Sequence, residues 1–136
     1  MTVLDFKGYR VTKMSYKRNG NFNGEAEVSY KPSFNSAINL NEETNEAIVI
    51  LKFETPKNFP FKLKVNIEGN FKYNTEEDSQ KIGAKRLLYQ NALAILFPYL
   101  RVIVNQVSGL GNEYPPLLLP TVNIASLLNN EEIDKK

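Results

Sequence analysis

This 136-residue chain has no cysteine and no histidine, and each absence removes a class of chemistry. Without cysteine there is neither a disulfide framework nor a thiolate nucleophile, so a reducing compartment is allowed but not demanded. Without histidine the commonest general base and the commonest metal ligand are lost together, and no Ser/His or Cys/His pair can be assembled. Carboxylates do cluster, at Glu42 and Glu43 and again at Glu76, Glu77 and Asp78. Both groups lie in polar turn sequences, where no apolar setting exists to shift a pKa toward catalysis. The glycines of 19–24 and 108–111 lack the strand-to-helix setting and the Lys-Ser/Thr pair of a phosphate loop. These exclusions point away from an enzyme, and no cofactor is implied.

The net charge is also small. The formal net charge is +2, with no Lys/Arg run and no aromatic-basic motif, so nucleic acid is not an expected partner. Residues 1–10 lack the apolar core of a signal peptide, and the longest apolar tract is interrupted by Asn91, Pro98 and Arg101 before it reaches membrane-spanning length. The expectation is a single cytoplasmic domain over residues 1–136, without membrane insertion and large enough to bury a core.

What is present is patterned. Phe6 to Tyr16 reads as a strand in which Tyr9 and Val11 share one parity and Met14 and Tyr16 the other, so a bulge is expected near Thr12 and Lys13. Residues 18–24, rich in Asn and Gly, mark a turn or loop. Even positions from Ala26 to Leu40 carry the apolar residues of a second strand, with Pro32 marking an edge or bulge. Ala47 to Phe53 is apolar on both parities and belongs inside a sheet. From Phe61 to Tyr73 odd positions are apolar and even ones polar, including Lys62, Lys64 and Lys72, which gives one buried and one wet face.

From about Ile82 to Val107 the spacing changes to three and four, which predicts a helix. One apolar row carries Leu88, Ala92, Ile95, Tyr99 and Ile103, and a second carries Leu93, Phe97, Leu100 and Val104. Gln90, Arg101 and Asn105 hold a narrow polar strip flanked by Asn91. A helix apolar over more than half its circumference needs cover on two sides, so the row of Leu93, Phe97, Leu100 and Val104 is expected at an interface with another subunit. Pro98 should kink the axis. Beyond it, Pro115, Pro116 and Pro120 enforce an extended loop around Leu117, Leu118 and Leu119. Successive side chains of an extended segment point opposite ways, so these leucines cannot all face one core. They either close a buried crossover or line an apolar groove, and the residues alone do not choose. A short helix is expected from about Asn123, followed by a polar tail.

The segments Ile95 to Arg101 (ILFPYLR) and Tyr114 to Leu128 (YPPLLLPTVNIASLL) resemble the helix, crossover loop and second helix of the SecB family of bacterial chaperones. Phe61, Val65, Gly69 and Phe71 resemble the family's fourth strand. The resemblance implies an α+β fold: a four-stranded antiparallel sheet followed by a long kinked helix, a proline-rich crossover loop and a short C-terminal helix. It also implies a homotetramer built as a dimer of dimers, and an ATP-independent holdase that binds unfolded polypeptides in an apolar groove, in the service of protein export. Carried over by motif, Tyr114, Leu117, Leu119, Val122, Ile124, Leu127 and Leu128 are the expected client-binding residues, with Leu117 and Leu119 facing the groove. The family's export chaperones deliver cargo to the SecA ATPase through an acidic sheet surface and a C-terminal tail. Here the fourth strand is basic and the tail short, so SecA is left open as a partner. The alternative is a dedicated partner of one client, such as the antitoxin of a toxin–antitoxin system.

Overall fold

The computed structural model describes residues 2–20, 22 and 33–119, together with the backbone of 128–130. Four antiparallel strands form in chain order: β1 (Leu4–Arg18), β2 (Ser33–Asn41), β3 (Glu46–Glu54) and β4 (Phe61–Tyr73). A helix, α1 (Ala84–Leu110), follows, and a short strand, β5 (Leu128–Asn130), closes the described chain. The sheet order is β1-β4-β3-β2-β5, with β5 parallel to β2 and every other pair antiparallel. The expected second strand began at Ala26; its first part, 26–32, lies outside the described residues, as do 120–127, where the short C-terminal helix was expected. At 128–130 the backbone is a strand rather than the continuation of that helix.

Strict alternation in β4 builds the core. Phe61, Leu63, Val65, Ile67 and Phe71 are all buried, and Ile38, Val49, Leu51 and Phe53 extend the same layer through β2 and β3. Each such side chain removed from water contributes roughly 1.5–3 kcal/mol. The strand leaves room for the helix at Gly69, where a Cβ would come within 2.6 Å of Leu96 Cδ2. β1 keeps pace with β4 only by slipping twice, between Phe6 and Tyr9 and between Val11 and Lys13. The second slip falls at the expected bulge and returns Met14 and Tyr16 to the face used by Tyr9 and Val11, opposite Val65 and Leu63.

α1 is longer and less regular than the sequence suggests. It opens with α-helical residues Ala84–Leu87, makes a π-helical turn over Leu88–Ala92, and then runs as α-helix from Leu93 to Leu110 with Pro98 inside it. By length and composition it could cross a membrane. Its Leu93, Leu96, Phe97, Leu100 and Val104 side is nonetheless closed in the core with the strand residues, as in the core helix of a folded domain. That burial corrects the expected interface, because Leu93, Phe97, Leu100 and Val104 are each no more than 4% exposed within a single chain. The physical reason is the π turn: it holds more residues per turn than a 3.6-residue wheel allows and re-phases everything after it. The first row therefore starts in the core at Leu88 and Ala92 and leaves it afterwards, with Tyr99 37% exposed.

The turn before α1 is held by Asp78. Its carboxylate accepts hydrogen bonds from the Ile82 and Gly83 amides at 2.9 and 2.8 Å and from the Tyr73 hydroxyl at 2.8 Å. Those amide bonds, supported by Tyr73, hold its pKa below the ordinary carboxylate value, while burial opposes them.

Candidate functional site

The crossover is shaped by the polar strip of α1. Arg101 Nε donates to the Leu119 carbonyl at 3.0 Å, and Asn105 Nδ2 donates to the Leu117 carbonyl at 3.2 Å. The Leu117 amide donates to Ser108 Oγ at 2.7 Å, and that hydroxyl donates in turn to the Asn105 carbonyl. Three polar residues spaced along one face of the helix thus grip alternate residues of an extended segment. With the backbone fixed at 117 and 119, the side chains have little choice. Leu119 is 5% exposed and joins the core, Leu117 packs partly against it, and Leu118 is 79% exposed.

The alternation expected of the leucines is present, but its sense is reversed. Leu119 was expected to face a groove and is instead buried in the core, the segment being held against α1 by its carbonyl contacts to Arg101 and Asn105. Leu118 takes the outward place. Tyr114 is half-buried, its ring 6.2 Å from Phe61 and 6.1 Å from Phe22. Val122, Ile124 and Leu127 lie outside the described residues. Leu128 pairs with Phe34 through its backbone in β5.

The start of the crossover is tied to the far end of β1. Arg18 donates from Nε and an Nη to the two carboxylate oxygens of Glu113 at 2.8 and 2.9 Å. This bidentate contact raises the Arg18 pKa further. Beside it, burial pushes the Tyr16 phenol up, with the Glu113 charge adding to the shift.

The outer sheet face does not hold three equivalent lysines. Lys64 lies 3.8 Å from Glu54, and Lys72 Nζ donates to the Thr44 carbonyl at 2.8 Å. Lys62 stands directly opposite Lys17 across the β1–β4 ladder. A second exposed apolar region occupies the helix-facing side of β1. Tyr9, Val11 and Met14 are 39%, 42% and 55% exposed there, and the Tyr9 ring packs tilted against Tyr99 of α1, with ring centroids 4.4 Å apart. Val102, one turn on from Tyr99, is 57% exposed. Neither lysine pairing nor residual exposure can be read from a periodicity, since both depend on which strand becomes the edge.

No protein-family model matches the chain. It is 29% identical over 136 residues to the uncharacterized protein MJ0357 of Methanocaldococcus jannaschii, a match that covers 96% of this chain and 85% of that protein. Among solved structures it is similar to the Mycobacterium tuberculosis SecB-like chaperone Rv1957, solved in complex with a ChAD peptide from the HigA1 antitoxin Rv1956. That match has a TM-score of 0.70 and 16% identity, over 88% of this chain and 90% of the other. A protein of unknown function from Streptococcus agalactiae matches with a TM-score of 0.56 and 14% identity, over 86% and 96% of the two chains. The fold is therefore SecB-like, an α+β arrangement of an antiparallel sheet under a long helix.

Proposed function

We propose that this protein is a polypeptide-binding chaperone, working without a cofactor or enzymatic step, that holds an extended apolar segment of a client protein alongside the crossover. The observation that carries the reading is the crossover itself: Leu119 and Leu117 are spent on anchoring, while Leu118 is displayed at 79% exposure on a segment whose backbone is already ordered. Prolines 115 and 116 limit the entropy lost in holding that display. The M. tuberculosis neighbour with an antitoxin peptide supports a protein client, and a dedicated one in particular.

One leucine contributes roughly 1.5–3 kcal/mol, whereas micromolar affinity requires about 8 kcal/mol. The client path must therefore continue beyond Leu118, along the accessible parts of Leu117 and Tyr114 and onward through Val122, Ile124, Leu127 and Leu128. Self-association belongs to the same reading. Tyr9, Val11, Met14, Tyr99 and Val102 form the apolar face that a second copy would cover, in place of the buried row first expected, and a tetramer of cytoplasmic SecB-like chains would satisfy it. SecA is not part of the reading.

Replacing Leu118 with Ser tests it. Capture of an unfolded apolar client, followed by suppression of its aggregation, is expected to weaken about tenfold, in line with the loss of one leucine contact. Thermal stability and light-scattering mass are expected to stay unchanged. Undiminished capture by the Leu118→Ser protein would refute the crossover as the client site. Protection of several unrelated clients would mark a general holdase, and protection of a single one a dedicated partner.

A further inference from the structure

Where β1 runs out at Arg18 and β4 begins at Phe61, a cavity of about 480 Å³ opens against the loop 55–60. Its floor is apolar, with Phe59 and Phe61 almost fully buried. Among the described residues its rim is basic, carrying Lys17, Arg18, Lys57 and Lys62 against the single carboxylate of Glu54. One of these cations is already answered, since Arg18 holds Glu113, and the carboxylate of Glu54 is shared with Lys64 from outside the rim. Among the described residues no carboxylate pairs with Lys17, Lys57 or Lys62.

Lys17 and Lys62 are direct cross-strand partners. Like charges placed opposite each other weaken a sheet, so the pair is a liability to the fold alone. An apolar floor beneath it concentrates the potential at one point and raises the local concentration of anions. The rim is also rigid. The Asn19 amide donates to the Pro60 carbonyl at 3.0 Å and Asn19 Nδ2 to the Phe59 carbonyl at 3.0 Å. The buried Thr55 hydroxyl donates to the Phe61 carbonyl and accepts from the Leu63 amide.

We propose that this cavity takes an aspartate or glutamate side chain of the client, so that the preferred partner is an acidic-apolar peptide segment. The proposal rests on the polypeptide-binding reading and gives it a charge preference. Two contacts join the cavity to the crossover: Arg18 lines the one and bonds Glu113 at the start of the other, and Phe61 floors the one and meets the Tyr114 ring of the other. A client segment in contact with Leu118 and Tyr114 therefore passes the basic rim if it continues toward β1. A nucleic acid fits the distribution less well. The cations of the rim sit at one end of the sheet, whereas Glu42, Glu43 and Glu46 occupy the other end, where a continuous phosphate backbone would be repelled.

The test compares two fluorescent peptides, each with the same run of leucines and phenylalanines, one carrying two aspartates and the other asparagines in their place. The wild-type protein is expected to bind the aspartate peptide about 10-fold more tightly in dilute salt, as charge-assisted hydrogen bonds allow. The preference is expected to shrink at about 0.5 M salt, where screening reaches a few ångströms. The combined variant Lys17→Ala, Lys57→Ala, Lys62→Ala alters only exposed side chains. It is expected to bind both peptides equally while holding the asparagine peptide as the wild type does. Equal affinities in the wild type, or a preference that survives the triple variant, would overturn the proposal. So would tighter binding of a single-stranded RNA that is lost in the variant. If the asparagine peptide is not held but the aspartate peptide binds through the three lysines, the cavity assignment stands and the crossover reading fails.

Discussion

β1 and β4 share one ladder and behave as opposites. β4 alternates without interruption, lies between β1 and β3, and buries every second side chain from Phe61 to Phe71 under α1. β1 is two residues longer, slips twice against its partner, and leaves Tyr9, Val11 and Met14 partly in solvent. Both strands turn an apolar face toward the helix, so the apolar content alone does not separate them. Position in the sheet does. A central strand is covered by the helix along its length, whereas an edge strand reaches past that cover and exposes whatever its inner face carries. Apolar residues kept on such an edge are available to a partner, while identical residues one strand inward belong to the fold.

The sharpest way to test the contrast is to truncate equivalent positions. Leu63→Ala in β4 removes a fully buried side chain and is expected to lower stability by about 2–5 kcal/mol, measured by urea unfolding. Acidification should have a smaller effect, located where β4 hands over to α1. Asp78 has a depressed folded-state pKa, so its contribution is fully present above its ordinary value of 3.8 and is lost as pH falls through the lower folded value. The urea midpoint is expected to drop through that acid range, and Asp78→Asn to flatten the drop. A dependence unchanged in the Asn variant would place the acid-sensitive group elsewhere. Met14→Ser in β1 is expected to have the smallest effect on the monomer's stability, within about 0.5 kcal/mol, while reducing the mass seen by light scattering. A stability loss approaching that of Leu63→Ala would show that the edge is as integral to the core as the centre.

Much of this arrangement is legible in the residues alone. The parity switch between Val11 and Met14 announces the second bulge of β1, and the odd-even pattern of 61–73 announces the buried face of β4. The opposed directions of Leu118 and Leu119 follow from an extended, proline-bounded segment. The sense of that alternation does not, because it is set by Arg101 and Asn105 reaching carbonyls that lie 18 and 12 residues further along the chain. The π turn at Leu88–Ala92 was also hidden, since a wheel assumes a constant rotation per residue. As a result, the row assigned to a partner became the helix's own seat on the sheet. The cavity beside Phe61 was invisible for a related reason. Lys17 and Lys62 are ordinary surface lysines until the double slip of β1 sets them face to face.

The strand order also dictates a timetable. β2, β3 and β4 are successive hairpin partners and can pair as soon as each emerges, because the loops to be closed are short. β1 is made first, yet its ladder joins Leu4 to Tyr73, so it must wait until β4 exists. The edge of β2 waits longer still, until Leu128 arrives beside Phe34. For that interval the nascent sheet has an open apolar flank, and the folding of this SecB-like chain passes through the kind of exposed strand edge that makes other proteins aggregate.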